Sequence, residues 1–101
     1  MKVFKMNDFD LVCAETEEQA KIFYCEESGI DMGDVEEFFQ GEVSLEEKML
    51  VSVDDLPEEE KMMTQLNMKN IGGELFVYKP FSWVIKHQNI TSPCIIATTE
   101  F

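Results

Sequence analysis

The alternation of apolar and polar residues divides the chain into short strands and short helices. Near the N-terminus, the runs KVFKM and FDLVCAE flank an Asn-Asp pair and predict a β-hairpin, in which residues 11–14 are apolar on both faces and therefore central in a sheet. Two further strands are predicted by EKMLVSV and ELFVYK. The β-branched run CIIATTE predicts a strand that shares the centre of the sheet.

Capping residues mark where the first two helices begin and end. The clearest helix starts after Thr16, which forms a capping box with Gln19, and it ends at Gly29. A shorter helical segment follows, with Asp34 as its N-cap. We therefore expect two consecutive helices between the hairpin and the third strand.

An acidic stretch at 54–60, DDLPEEE, predicts the start of a third helix. Asp54 or Asp55 is expected to cap it, Pro57 occupies the first turn, and the glutamates that follow lie at the positive end of the helix dipole. The run NIGG is expected to end this helix. A last short helix is predicted by PFSWVIKHQN.

The order of these elements, β-β-α-α-β-α-β-α-β, predicts an α+β fold. We expect a small single domain over residues 1–101, with a mixed or antiparallel β-sheet and short helices packed on one side of it. A chain of 101 residues is long enough for one modest core, and this one shows no linker and no internal repeat.

Charge is distributed unevenly along the chain. The formal net charge is -13, and residues 8–60 hold 19 acidic and 2 basic residues, whereas residues 61–101 carry a small positive excess. Such a field repels phosphate backbones and anionic membranes, so we expect no direct binding of nucleic acid and no membrane association. A charged partner should instead be basic.

The residue types that support catalysis are sparse. The chain has one histidine, His87, and three cysteines without a CxxC pair, and its carboxylates form doublets typical of solvated surfaces. We therefore expect no enzymatic activity, no metal site and no cofactor, and we expect the thiols to be reduced and buried. The chain shows neither an apolar run of transmembrane length nor the apolar core of a signal peptide, which predicts a cytoplasmic protein.

The acidic doublets have two interpretations. Either they are solvated residues that keep a small domain soluble, or they form rows of negative charge that mimic the phosphates of a nucleic acid and hold a basic partner. Under the second interpretation, the candidate partner-binding residues are Glu36, Glu37, Glu46, Glu47, Asp54, Asp55, Glu58, Glu59 and Glu60.

Trp83 is a further candidate for partner binding. It lies four residues before His87, on the side of the last helix away from the apolar stripe of Phe81, Val84 and Ile85. An aromatic residue outside the core stripe is a candidate interface anchor. Burial of Trp83 under a loop is the alternative explanation of the same pattern.

Acidic runs recur through the first part of the chain as TEEQ, CEES, GDVEEFF, SLEEK and VDDLPEEE, beside the strand and capped helix LVCAETEEQAKIFY. In size and in these runs the chain resembles the small anti-defence proteins of bacteriophages, notably anti-CRISPR inhibitors. The resemblance implies a phage protein in the host cytoplasm that blocks a basic nucleic-acid-binding protein such as a CRISPR effector. The alternative is a small intracellular adaptor or assembly domain that binds through Trp83, with the acidic residues serving solubility.

Overall fold

Two antiparallel sheets and three short helices form the described part of the chain, residues 1–59 and 69–98, in the computed structural model. The strands are β1 (Lys2–Lys5), β2 (Asp10–Ala14), β3 (Gly41–Val43), β4 (Lys48–Ser52), β5 (Lys69–Ile71), β6 (Glu74–Pro80) and β7 (Cys94–Thr98). The helices are α1 (Glu17–Ser28), α2 (Met32–Phe38) and α3 (Phe81–His87). A 3₁₀ turn, Val53–Asp55, follows β4.

The predicted α+β class is confirmed, and the strands are divided between a four-stranded and a three-stranded sheet. The larger sheet has the order β3-β1-β2-β7 and the smaller has the order β4-β6-β5. The N-terminal hairpin forms as predicted, with Val3 opposite Cys13 and Phe4 opposite Val12. β2 is central, as expected, but β7 is not, because β1 occupies the other side of β2 and leaves β7 at the edge.

One face of the larger sheet is covered by α1 and α2. Phe4, Val12 and Ala14 point toward this face and pack with Ala20 and Tyr24 of α1. Thr16 caps α1 as predicted, since Thr16 Oγ1 accepts a hydrogen bond from the Gln19 N–H at 3.1 Å, and Gly29 ends the helix in the left-handed conformation at φ 74°. The returning bond of the predicted capping box is displaced by one residue, because Gln19 Oε1 accepts from the Glu15 N–H at 2.7 Å.

The opposite face of the larger sheet packs against the smaller sheet and α3. Side-chain alternation along β1 and β2 directs Val3 and Cys13 to this side, where they meet Val77 of β6 and the α3 residues Phe81 and Val84. Two apolar clusters therefore lie on opposite faces of one sheet. Consequently α1 and α2 are on one side of the molecule, and α3 and the smaller sheet are on the other.

The run NIGG forms the end of β5 and the hairpin turn to β6, so its prediction as the end of a helix is wrong. Gly72 and Gly73 have φ of 60° and 87°, and the Gly73 N–H donates to Asn70 Oδ1 over 3.1 Å. Two successive residues with positive φ are what a two-residue hairpin turn requires. Glycine supplies both at low cost, which favours the β5–β6 hairpin here.

The segment at 54–60 also differs from its prediction. Asp54 and Asp55 lie in the 3₁₀ turn, where Ser52 Oγ accepts from the Asp54 N–H at 3.3 Å, so Ser52 is the capping residue. The backbone is helical at Glu58 and Glu59. The remainder of the predicted third helix, including Glu60, lies outside the described residues.

The start of α2 differs from its prediction as well. The helix begins after Asp31 rather than after Asp34, and Asp31 makes no side-chain capping hydrogen bond. Val35 is the buried residue of α2, in contact with the cluster on the α1 side of the larger sheet. The sequence patterns also did not predict β3, which follows at Gly41.

Candidate functional site

α3 carries an aromatic pair, Trp83 and His87, beside its buried face. Phe81 and Val84 point into the core, Trp83 is half-buried and packs against the same core cluster, and His87 is exposed. The Trp83 and His87 rings are stacked, with centroids 4.4 Å apart and planes 13° from parallel. Lys79 Nζ lies 4.9 Å from the centroid of the Trp83 ring. The i,i+4 spacing therefore produces an ordered aromatic surface flanked by a cation.

A loop bearing two of the candidate acids holds the N-terminal end of α3. The Phe81 N–H donates to the Glu47 carbonyl oxygen at 2.9 Å, and the Ser82 N–H donates to the Leu45 carbonyl oxygen at 3.1 Å. These bonds satisfy two N–H groups that no side chain caps, because the residue before the helix is Pro80. The backbone at Leu45 and Glu47 is thereby held beside the first turn of α3, and the exposed side chains of Glu46 and Glu47 line a depression with Lys48 and Tyr78.

Two more of the candidate acids lie at the other end of α3. His87 Nε2 is 3.1 Å from the Asp55 carbonyl oxygen, which ties the end of α3 to the 3₁₀ turn. Asp54 and Asp55 are exposed there. A shallow depression beside this contact is lined by Pro57, Glu59, Trp83, Lys86 and His87.

The structure thus places six of the predicted acidic residues next to α3, the helix that carries Trp83. We call this region the α3 surface; it comprises Trp83, His87, Lys79 and Lys86 together with Glu46, Glu47, Asp54, Asp55, Glu58 and Glu59. All six of these carboxylates are exposed. Within residues 1–59 and 69–98 none of the six pairs with a cation, since the ion pairs found there are Lys2–Glu42 and Lys21–Glu17.

Glu36 and Glu37 are not part of the α3 surface. They lie on α2, and α2 packs on the opposite face of the larger sheet from α3. Glu36 lines a separate depression with Glu17, Glu18 and Lys21 of α1. The acidic residues therefore form two surfaces, and of these two the α3 surface includes the stacked pair of half-buried Trp83 and exposed His87.

Two of the cysteine thiols that contact the core have raised pKa values. Burial, followed by the neighbouring Cys94, raises the pKa of the Cys13 thiol to about 11, and burial also raises the pKa of Cys94. A raised thiol pKa opposes nucleophilic reactivity. In the described ranges, no cluster of three or more His, Cys, Asp and Glu side chains is arranged to hold a metal ion.

Tyr24 also has a raised pKa, first from burial and then from its hydrogen bond to Asp10. Its hydroxyl donates to the Asp10 carboxylate and accepts from Asn7 Nδ2 at 2.8 Å. These three side chains connect α1 to the turn of the N-terminal hairpin. Connecting α1 to this turn is a structural role, and it explains why Tyr24, Asp10 and Asn7 are hydrogen-bonded to one another.

An apolar cleft of about 900 Å³ separates β7 from the smaller sheet, and the sequence patterns did not predict it. Its lining includes Leu11, Met49, Tyr78 and Ile96, and Lys48 and Lys69 also contribute. The cleft depends on how two sheets are placed relative to one another. Periodicity within one strand carries no information about that placement.

No helix in the described residues is long and apolar enough to cross a membrane. No protein-family model matches the sequence, and comparisons with curated proteins and with solved structures find no significant similarity.

Proposed function

We propose that the protein is a non-enzymatic inhibitor that binds a basic nucleic-acid-handling protein through the α3 surface, as a phage-encoded anti-CRISPR-type nucleic-acid mimic would. The observation that carries this proposal is the placement, at both ends of α3, of exposed carboxylates that form no ion pair within residues 1–59 and 69–98. A partner whose surface evolved to hold phosphates presents arginine and lysine side chains at comparable positions.

The charge on this surface suits steering of a basic partner. The α3 surface contains six carboxylates and two lysines, Lys79 and Lys86, and the molecule as a whole carries a formal charge of -13. Fields of this kind accelerate the encounter of oppositely charged proteins and repel acidic ones, and they weaken as salt is added. Electrostatics therefore supplies selectivity for basic partners, and the nucleic acid itself is repelled.

Trp83 supplies the apolar contact that a charged surface lacks. Tryptophan is enriched among the residues whose truncation costs a complex most of its affinity. Stacking on His87 holds the indole in one orientation, and His87 is itself tied to the Asp55 carbonyl oxygen. A pre-ordered anchor loses little conformational entropy on binding, which favours a stable complex.

The second candidate function is that of a small adaptor or assembly domain. The depression that joins Pro57 to the Trp83–His87 pair favours it, because Pro57 and Trp83 offer an apolar contact to a partner's side chain, with Glu59 and Lys86 at the same site. In this case the carboxylates serve solubility alone. The two functions differ in how strongly binding depends on salt.

Affinity capture at two salt concentrations distinguishes these functions. The tagged protein is incubated with bacterial lysate at about 0.05 M salt and washed at about 0.5 M, where charges separated by more than a few ångströms are screened. The inhibitor function predicts capture of basic nucleic-acid-binding proteins that the high-salt wash releases. Capture of proteins that the wash does not release, with no enrichment of basic ones, supports the adaptor function.

A further inference from the structure

Cys13 and Cys94 face each other across the β2–β7 pairing. Their Cα atoms are direct partners in this antiparallel ladder, and the register shift in the ladder lies elsewhere, between Leu11 and Val12. Directly opposed residues of antiparallel strands project to the same face. Cys13 is fully buried in the cluster beneath the smaller sheet, and Cys94 packs against that same cluster. Both sulfurs are free thiols.

The spacing of such a pair suits a disulfide. Opposed residues of an antiparallel ladder have Cα atoms about 4.5 or about 5.5 Å apart, and both values lie in the range of about 4.4 to 6.8 Å found for disulfide-bonded cysteines. We propose that Cys13 and Cys94 are a site of reversible disulfide formation, closed by a low-molecular-weight disulfide such as oxidised glutathione.

The reaction proceeds by two thiol–disulfide exchanges. Cys94 is the partly exposed thiol, and its thiolate attacks one sulfur of oxidised glutathione, which forms a mixed disulfide and releases one glutathione thiolate. The Cys13 thiolate then attacks Cys94 Sγ and releases the second. The protein loses two protons and two electrons in all, and oxidised glutathione is reduced to two molecules of glutathione.

Burial sets the rate and the pH dependence of this reaction. Both thiols have a raised pKa because they are withdrawn from water, so the attacking thiolates are scarce at neutral pH. The rate of disulfide closure should rise with pH throughout the range from about pH 7 to about pH 9. An exposed cysteine pair, with thiol pKa values nearer 8.5, should level off within that range.

The disulfide would fasten an edge strand to the centre of the larger sheet. β7 pairs with β2, and its residues 95–98 line one wall of the apolar cleft. A cross-link here closes most of the chain into one loop, which restricts the unfolded state strongly. The oxidised protein should therefore unfold at a temperature higher by about 10 °C or more.

The experiment uses the full chain with Cys25→Ser, because Cys25 lies on α1, beside Met32 Sδ at 4.0 Å, and is not part of the pair. Native protein is incubated with oxidised glutathione, quenched with acid, unfolded, alkylated and analysed by mass spectrometry and peptide mapping. A matched control carries Cys13→Ala in addition, which leaves Cys94 to form a mixed disulfide that cannot resolve.

The expected product is a monomer lighter by two hydrogens, with a Cys13–Cys94 cross-linked peptide and the predicted rise in melting temperature. The control should accumulate a glutathione adduct on Cys94. Recovery of alkylated Cys13 together with stable glutathionylated Cys94 in the two-cysteine protein would overturn the proposal. An oxidised form that melts below the reduced form would do so as well, since the cross-link would then distort the sheet.

Discussion

The imidazole of His87 lies flat against the indole of Trp83, with the ring centroids 4.4 Å apart. The same imidazole reaches the Asp55 carbonyl oxygen through Nε2. One exposed side chain thereby connects the aromatic surface of α3 to the acidic turn that follows β4. This connection makes the geometry of the α3 surface testable by substitution.

Replacing His87 should loosen this surface in two separable steps. His87→Phe retains a ring against Trp83 and loses the bond to Asp55, whereas His87→Ala loses both contacts. We expect His87→Ala to reduce the free energy of unfolding by about 1 kcal/mol, and His87→Phe to reduce it by less. Urea denaturation measures both values. Equal losses for the two variants would show that ring stacking contributes nothing to stability.

Trp83→Ala should weaken binding to the captured partner by at least about tenfold, because a central tryptophan typically contributes more than 1 kcal/mol to a complex. Phe38→Ala is the matched control, since Phe38 is an exposed aromatic residue on α2, on the opposite side of the larger sheet from the α3 surface. Isothermal calorimetry compares the two. A loss with Phe38→Ala as large as that with Trp83→Ala would contradict a specific role for the indole.

Stability should fall as pH rises above about 9. The Cys13 thiol has its pKa raised from 9.0 to about 11 in the folded protein, so the unfolded chain releases its proton first. Between these two values the unfolded state binds fewer protons, and Cys13 alone lowers the free energy of unfolding by up to about 1.4 kcal/mol per pH unit.

Cys13→Ala removes this term, so the decline measured by urea denaturation from about pH 9 to about pH 10.5 should be shallower in the variant. Lysine and tyrosine residues titrate in both proteins, so their contributions cancel in the comparison. Parallel declines in the wild type and the variant would show that the Cys13 thiol ionises equally in both states.

The purified protein should bind neither duplex nor single-stranded nucleic acid at physiological salt. The formal charge of -13 and the exposed carboxylates of the α3 surface repel phosphates. A gel-shift titration without added metal checks this, with a basic nucleic-acid-binding protein as the positive control. A shift caused by the protein alone would count against nucleic-acid mimicry, because a protein that mimics the charge of a nucleic acid is repelled by the nucleic acid.

Local structure was largely predictable from the sequence. Thr16, Gln19 and Gly29 define α1 through contacts within a few residues, and the hairpin of β1 and β2 follows from alternating apolar residues around a polar turn. The structure of the run NIGG was harder to predict, because glycine both ends helices and forms hairpin turns. Which of the two structures forms here depends on the pairing between β5 and β6.

Long-range placement was not predictable in the same way. Glu36 and Glu46 belong to similar acidic doublets, yet they lie on opposite sides of the larger sheet because their segments pack against different faces of β1 and β2. No local pattern carries that distinction. The sequence therefore predicted the acidic candidates and Trp83, while the structure selected which of them lie around α3.

That selection permits a charge-matched test of the proposed function. One variant neutralises four acidic residues of the α3 surface with nearly isosteric amides, and a control neutralises four exposed glutamates on α1 and α2. The first carries Glu46→Gln, Glu47→Gln, Glu58→Gln and Glu59→Gln. The control carries Glu26→Gln, Glu27→Gln, Glu36→Gln and Glu37→Gln. Both variants reduce the negative charge equally, so general electrostatic attraction changes by a similar amount in each.

The decisive measurement is the affinity and association rate of these two variants for the captured basic partner, by surface plasmon resonance, with melting temperatures recorded to show that both remain folded. We predict that the α3-surface variant loses at least about tenfold in affinity, through slower association where carboxylates lie at the rim and faster dissociation where they are buried against arginine or lysine. The control variant should lose much less. Equal affinities for both variants and the wild type, or a larger loss in the control, would contradict binding through the α3 surface.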